Sequence, residues 1–245
     1  MPTFLINLES ARERSERMQV QLDAAGIEAE RVGIDLRECS VAEVHEWTSR
    51  HFPRLHFDLD AICAAEAGCW ASHLVAWSRL QQADAPSCTV IEDDVLLADG
   101  FARAVDALRD PRTHDVIYLG TSSKNISTRR RTQCGGLAVH EPLGVIFNTW
   151  GYVITRAYVQ RFFAADQLWI DLPIDHFLGG RAKAVKPRTG VLRPAVVSED
   201  PDVGPCSQIQ PYATRLDRHR VWQDARRAIL GSKLSDVYYR LYKWL

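Results

Sequence analysis

No stretch of eighteen or more uninterrupted apolar residues occurs, so no helix is expected to span a membrane. The first residues, MPTFLINLESARERSER, lack the basic start and long apolar segment of a secretory signal. Both absences make the cytoplasm the expected compartment. C-x-x-C pairs are also missing. The six cysteines (Cys39, Cys63, Cys69, Cys88, Cys134, Cys206) are therefore expected as free thiols rather than as zinc ligands or disulfides. There is no internal repeat, no low-complexity segment and no basic motif of a nucleic-acid-binding module, so nucleic acid is not an expected partner. Net charge is nearly absent too, at −1.

That balance hides an asymmetry. Residues 211–245 carry eight Lys/Arg against three Asp, a net +5, and the remainder carries −6. An acidic body with a basic tail suggests an anionic surface as the tail's partner. Trp222, Ala225 and Ile229 fall on one helical face of this tail. Leu234, Val237, Tyr238, Leu241 and Leu245 form a second apolar stripe, with Tyr239, Tyr242 and Trp244 among the basic residues. Basic and aromatic residues around an apolar face suit an interfacial helix. Packing of the same stripe on the body or on a second subunit is the alternative.

What is present is enough for one core: 245 residues, 46% of them apolar and 25% charged. Thr3–Asn7 reads as a buried strand. A capping box of Ser10 and Glu13 is expected to start a helix that Gly26 ends. IEAERVGI reads as a strand, residues 40–50 as a short helix, and residues 61–82 as a long, mostly buried helix. SCTVIEDDV reads as a strand ending in three acids. Residues 99–109 read as a helix, HDVIYLG as a strand, and the polar stretch 121–136 as a mobile loop. TWGYVIT reads as a strand, residues 156–165 as a helix, and PIDHFLG as the start of another. Alternating strands and helices predict an α/β sandwich with a largely parallel sheet, spanning residues 1–210, followed by a tail of 211–245. Ligands of such sheets bind beyond the carboxyl ends of the strands.

Glu92-Asp93-Asp94 emerges at such an end. Alternation sends Glu92 and Asp94 one way and Asp93 the other. Two carboxylates one pleat apart can hold a hard divalent cation and leave positions for phosphate oxygens. A solvated acidic turn is the plain alternative. Glu66, Cys69 and His73 share one helix face with Ser72 beside it. His73 could equally be a satisfied core histidine and Cys69 mere packing. Asp175 lies where a carboxylate can be aimed into a cleft, or where it could cap a helix. Arg129-Arg130-Arg131 could close over a diphosphate or be a solvated charge run.

The segments INL with Arg14 beyond it, EAGCWASHLVAW, VIEDDV, NTWGYVITRAYVQRF and PIDHFL occur in this order. Together they resemble glycosyltransferase family 25, which includes lipooligosaccharide galactosyl- and glucosyltransferases and is related to collagen galactosyltransferases. The resemblance runs from about residue 3 to residue 209. It implies a GT-A-like fold, a UDP-hexose donor, a divalent metal such as Mn²⁺, and inversion at the anomeric carbon. It implies Glu92 and Asp94 as metal ligands, and Asn7, Arg14, Glu66, Ser72, His73 and Glu92 as donor-binding residues. Asp175 is the candidate base or acceptor-positioning group, with Asp93 the other catalytic candidate. Many GT-A enzymes use a late histidine as a further metal ligand. The late stretch VVSEDPDVGPCSQIQ has none, so His176 or water is expected there. The expected acceptor is a lipid-linked bacterial oligosaccharide, reached by docking of the tail on the inner face of the cytoplasmic membrane. A non-catalytic sugar-nucleotide- or glycan-binding protein of the same fold is the first alternative. A metal-dependent phosphohydrolase is the second, although no nucleophilic Asp-x-Asp follows the first strand.

Overall fold

The computed structural model describes residues 1–181 and 184–203. The expected tail at 211–245 lies outside the described residues. The architecture is three layers, α/β/α, around an eight-stranded mixed sheet.

The first half supplies β1 (Thr3–Ile6), α1 (Arg12–Ala25), β2 (Glu30–Val32), α2 (Val41–His51), β3 (Leu55–Phe57), α3 (Ala64–Gln82), β4 (Ser87–Glu92), β5 (Val95–Leu97) and α4 (Phe101–Ala107). The second half supplies β6 (Val116–Tyr118), β7 (Ile126–Cys134), β8 (Leu137–Pro142), β9 (Gly151–Thr155), α5 (Arg156–Ala164), β10 (Leu168–Ile170), α6 (Ile174–His176), β11 (Thr189–Leu192) and β12 (Val197–Glu199). The sheet order is β2-β1-β4-β9-β6-β11-β8-β7. Six of the eight strands run the same way; only β8 and β9 oppose them. The sheet is thus largely parallel in direction, with the TWGYVIT strand, β9, inserted antiparallel between β4 and β6.

Alternation along the strands builds the layers. Phe4, Val90 and Tyr152 face one core with Val44, Trp70, Trp77 and Phe162, from α2, α3 and α5. Their neighbours Leu5, Ile91 and Val153 face the other core, with Met18, Leu22, Phe101 and Val105, from α1 and α4. The side-chain period of two makes this partition automatic once register is set. α3 is buried nearly all round, including Gly68, Ala71 and His73, which explains its run of small and aromatic residues.

Three expectations need correction. Ser10 does not cap α1; the N-cap is Ala11, with no side-chain bond. Asn7 pins this turn instead, its Nδ2 donating to the Ala11 carbonyl at 3.0 Å. A complete capping box forms at Ser40 and Glu43, at the start of α2. The stretch 121–136 is largely not loop: from Ile126 it is β7, which pairs with β8 in a hairpin at the sheet edge. Gly135 and Gly136, with φ of 56° and 80°, form its two-residue turn, the left-handed geometry that favours Gly-Gly. Finally, only Glu92 of the three acids lies in strand β4; Asp93 and Asp94 form the turn into β5. The helix that Gly26 was expected to end does end there, with Gly26 at φ 65°.

Candidate active site

Register sets the first acids against β1. β1 and β4 are parallel neighbours with Ile6 opposite Glu92. Asn7 and Asp93, one residue further on, therefore sit side by side, and Asn7 Nδ2 donates to Asp93 Oδ2 at 2.7 Å. Arg14, in the first turn of α1, reaches Asp93 Oδ1 at 3.1 Å. Asp93 thus faces β1 and α1. Burial nonetheless pushes its carboxyl upward against the pull of Asn7 and Arg14.

Glu92 belongs to a second group. Its Oε1 accepts a hydrogen bond from the Thr149 hydroxyl and lies 3.6 Å from His73 Nε2. Thr149 precedes β9, whose Gly151 pairs with Ile91, so the β4 and β9 ends meet at one edge. His73 is wholly buried on α3. Its Nδ1 is 2.7 Å from the Tyr152 hydroxyl, and that hydroxyl accepts from Trp77 Nε1 at 3.0 Å. Sγ of Cys69, one turn earlier, shares this pocket. One ligand atom each from Cys69, His73 and Glu92 lie within 4.8 Å of one another.

Asp94 and Asp175 act on the same thiol through their charge. The Cys69 thiol is pushed well up, first by burial and then by the charges of Glu92, Asp175, Glu66 and Asp94. Carboxylates from three parts of the chain, the start of α3, the end of β4 with its turn, and α6, are therefore within electrostatic reach of one thiol. Asp175 arrives there because α3 holds its turn: Trp70 Nε1 donates to the Leu172 carbonyl at 2.7 Å. It does not cap α6, whose N-cap is Pro173; its Oδ1 accepts from the His176 N–H at 2.8 Å. The Asp94 carboxyl is raised to about 7 by burial and by repulsion from Glu92 and Asp93. Its Oδ1 is buried without a hydrogen-bond partner. The Asp200 N–H meets the Asp94 carbonyl at 2.9 Å and anchors this turn.

The remaining expected residues have defined places. Glu66 Oε2 accepts from the Cys63 N–H at 3.0 Å and closes the start of α3. Ser72 is held within the scaffold: it accepts from the Ile34 N–H and donates to the Gly68 carbonyl, both at 2.9 Å, and is 1% exposed. His176 packs edge-on to Phe147, ring centroids 5.4 Å apart. Arg129, Arg130 and Arg131 are exposed on β7, and Arg130 faces Glu141 at 3.5 Å. No disulfide forms among the described residues; Cys39, Cys63, Cys69, Cys88 and Cys134 are free.

Thr149, Tyr118 and Tyr152 were not foreseen. Tyr152 alternates inward on β9, a signal present in the TWGYVIT pattern, but its partner His73 is fixed only by tertiary packing. Tyr118 is fully buried on β6, within reach of the Asp175 and Glu92 charges, and its hydroxyl has no hydrogen-bond partner.

This acidic site lies within a recognisable sequence family. The family profile described as "Glycosyltransferase family 25 (LPS biosynthesis protein)" matches residues 1–178. A "Glycosyltransferase 25 family member" of Drosophila melanogaster is 29% identical over 182 residues, 71% of this chain and 29% of the relative. "Procollagen galactosyltransferase 2" of Mus musculus is 25% identical over 183 residues, again 71% of this chain and 29% of the relative. "Inactive glycosyltransferase 25 family member 3" of Mus musculus is 30% identical over 118 residues, 46% of this chain and 20% of the relative. The chain thus spans under a third of the length of these relatives. The profile match covers β1, the long helix α3, the acidic turn after β4 and the Asp175 turn in one continuous alignment, and on that basis the chain belongs to glycosyltransferase family 25.

Proposed function

We propose that the chain is an inverting, metal-assisted hexosyltransferase of GT-A type. In this reading it moves galactose or glucose from a UDP-sugar to a lipopolysaccharide- or lipooligosaccharide-type acceptor. The observation that carries the reading is the set of carboxylates Glu66, Glu92, Asp94 and Asp175, whose charges all reach the Cys69 thiol beside the carboxyl end of β4. Relatives bear names of both active and inactive proteins, so the reading turns on these acids rather than on kinship.

The residues fit a hard divalent cation. Asp94 carries a buried carboxylate oxygen without a partner, and its neighbours Glu92 and Asp93 only repel its charge. A cation relieves both defects. Glu92 and Asp94 would hold it. Mn²⁺ or a similar ion, when bound, supplies neutralisation of the charge that develops on the departing diphosphate.

The other roles belong to the protein. Asp175 takes the proton of the acceptor hydroxyl, its carboxylate fixed by the His176 N–H. Asn7 and Arg14 hold Asp93, and so set the path of the acidic turn beside the donor. Thr149 orients Glu92. The basic tail, residues 211–245, docks the enzyme on an anionic membrane surface where a lipid-linked acceptor resides, by charge and by its apolar stripes.

The deciding experiment measures UDP release from UDP-galactose, UDP-glucose and other UDP-sugars. It is run with Mn²⁺ or EDTA, and with or without a lipooligosaccharide acceptor. Acceptor-dependent, EDTA-sensitive release is expected from one UDP-hexose. Equal release without acceptor identifies a hydrolase, and sugar-nucleotide binding without any release identifies a non-catalytic binding protein. Co-sedimentation with anionic vesicles should fall in a chain ending at residue 210; unchanged co-sedimentation rejects the docking role.

A further inference from the structure

We propose that Cys69, His73 and Glu92 form a thiol-containing site for a thiophilic divalent cation, such as Zn²⁺ or Cd²⁺, distinct from the all-carboxylate pair Glu92 and Asp94. Three ligand atoms of the kinds that suit zinc lie within 4.8 Å of one another. Cys69 and His73 are four residues apart on α3, so both project from one helix face.

His73 is the fixed corner of the site. It is 0% exposed, and its Nε2 is buried without a hydrogen-bond partner. Its ring stacks on Tyr152 at 5.7 Å, and its Nδ1 meets the Tyr152 hydroxyl. A metal on Nε2 places the ring proton on Nδ1, where the phenolic oxygen accepts it. Metal-binding histidines commonly rely on an outer partner of this kind. The separation of 3.6 Å between His73 Nε2 and Glu92 Oε1 matches a tetrahedral edge of roughly 3.3–3.8 Å, as zinc bond lengths imply. The remaining spread closes by rotation of Cys69 and Glu92, which are only half-buried.

The charges also close. A thiolate and a carboxylate neutralise the ion, and the imidazole stays neutral. On binding, the S–H bond of Cys69 breaks, its proton leaves to solvent, and a sulfur–metal bond forms; nothing is oxidised or reduced. The two donor sets share Glu92, and an ion that draws its Oε1 toward Cys69 and His73 competes with the hard cation for it. A thiophilic ion therefore excludes the hard cation and stops transfer. Only this inhibitory consequence rests on the proposed transferase activity; the binding does not.

The test uses the full chain, stripped with EDTA and dialysed, then titrated with Cd²⁺. A thiolate-to-cadmium absorption band saturating at one ion per chain is expected. Cys69→Ser should abolish it and Cys39→Ser should leave it. His73→Asn and Glu92→Gln should each weaken binding at least tenfold. Should a variant fail to fold, alkylation of the wild-type chain mapped by mass spectrometry answers the same question: Cd²⁺ should protect Cys69 and leave Cys39 reactive. An absent band, a band that persists in Cys69→Ser, or unprotected Cys69 overturns the site. A band at Cys69 in a chain that transfers no sugar rejects the transferase reading and leaves the site standing. Transfer that persists with Cd²⁺ saturating the band overturns the inhibition.

Discussion

Asp115 and Asp94 are aspartates at opposite edges of one sheet, and their surroundings are opposite. Asp115 precedes β6, at the amino edge; Asp94 follows β4, at the carboxyl edge, and both strands run against β9. Asp115 is 1% exposed, yet every approach to it carries a donor. Arg161 Nη2 reaches it at 2.9 Å, Arg188 Nη2 at 3.0 Å and the Arg188 backbone N–H at 2.8 Å. Bonds to Arg188 and Arg161 outweigh its desolvation and hold its carboxyl below the ordinary range. Asp94 meets burial and like charge, and its carboxyl rises to about 7. A fold that can surround one carboxylate with two guanidinium groups leaves the other beside two more acids. The first arrangement stabilises the sheet. The second costs stability unless something positive arrives, and that is the signature of a site rather than of a scaffold.

The largest expected effect falls on the carboxyl edge. Asp175→Asn should lower acceptor-dependent transfer by roughly 10²–10⁴-fold, the range for loss of a general base. UDP binding, read by thermal shift, should persist. Loss of UDP binding together with melting temperature would place Asp175 on the donor side or in the scaffold.

Asp94→Asn should cost roughly 10²–10³-fold in transfer, the scale for removing one stabiliser of developing charge. The metal-free variant should be no less stable than the metal-free wild type, because burial and repulsion from Glu92 and Asp93 outweigh the attraction of Arg14 for the lost carboxylate. A clear drop in melting temperature would break the contrast with Asp115.

Asp115→Asn tests the opposite prediction. Transfer should be unchanged. Stability at pH 7 should fall by about 2 kcal/mol, since charge-assisted bonds contribute about 1.5–3 kcal/mol each and the half-exposed arginines are screened. That corresponds to a fall of about 4–8 °C in melting temperature. The sign with pH follows from the lowered carboxyl: its stabilisation is present above the unfolded value of 3.8 and is lost as pH falls through the folded value. Chemical denaturation at pH 7 and near pH 3 should show the gap between wild type and variant closing in acid. A gap independent of pH would mean that Asp115 contributes by shape rather than by charge.

The same contrast explains what the sequence made legible. Short apolar runs in TFLI, TVI and GYVIT were enough to place the central strands, because strands buried on both faces read as continuous apolar segments. The acids at the end of β4 were legible because they directly follow a buried run. The environment of each acid was not legible. Whether Asp93 or Asp94 gains Arg14 depends on Asn7 lying opposite, and that depends on β1 pairing with β4. His73 could be placed on a helix face, but its bond to Tyr152 joins residues 79 apart in sequence. The hairpin of β7 and β8 escaped notice because its strand is polar: six consecutive residues, Thr128–Gln133, are exposed, so no apolar alternation announces it. Gly135-Gly136 was its only local signal.

The smallest predicted effect concerns two serines with the same local motif. Ser10 precedes Glu13 and Ser40 precedes Glu43, each at the spacing of a capping box. Only Ser40 forms one: its hydroxyl accepts from the Glu43 N–H, and Glu43 Oε2 accepts from the Ser40 N–H at 2.7 Å. At Ser10 the chain is already committed. Asn7, tied to Asp93, bonds the Ala11 carbonyl, and the helix begins after Ala11. Ser10 is left on the surface, accepting from Arg37 Nη2 at 3.2 Å. Ser40→Ala should therefore cost about 1 kcal/mol, the usual loss for a serine cap. Ser10→Ala should change stability by under about 0.5 kcal/mol, as an ordinary surface substitution does. Urea midpoints of the two variants measure the difference. Equal losses would mean that α1 is capped by Ser10 in solution, and that the Asn7–Asp93 contact does not hold the acidic turn against β1.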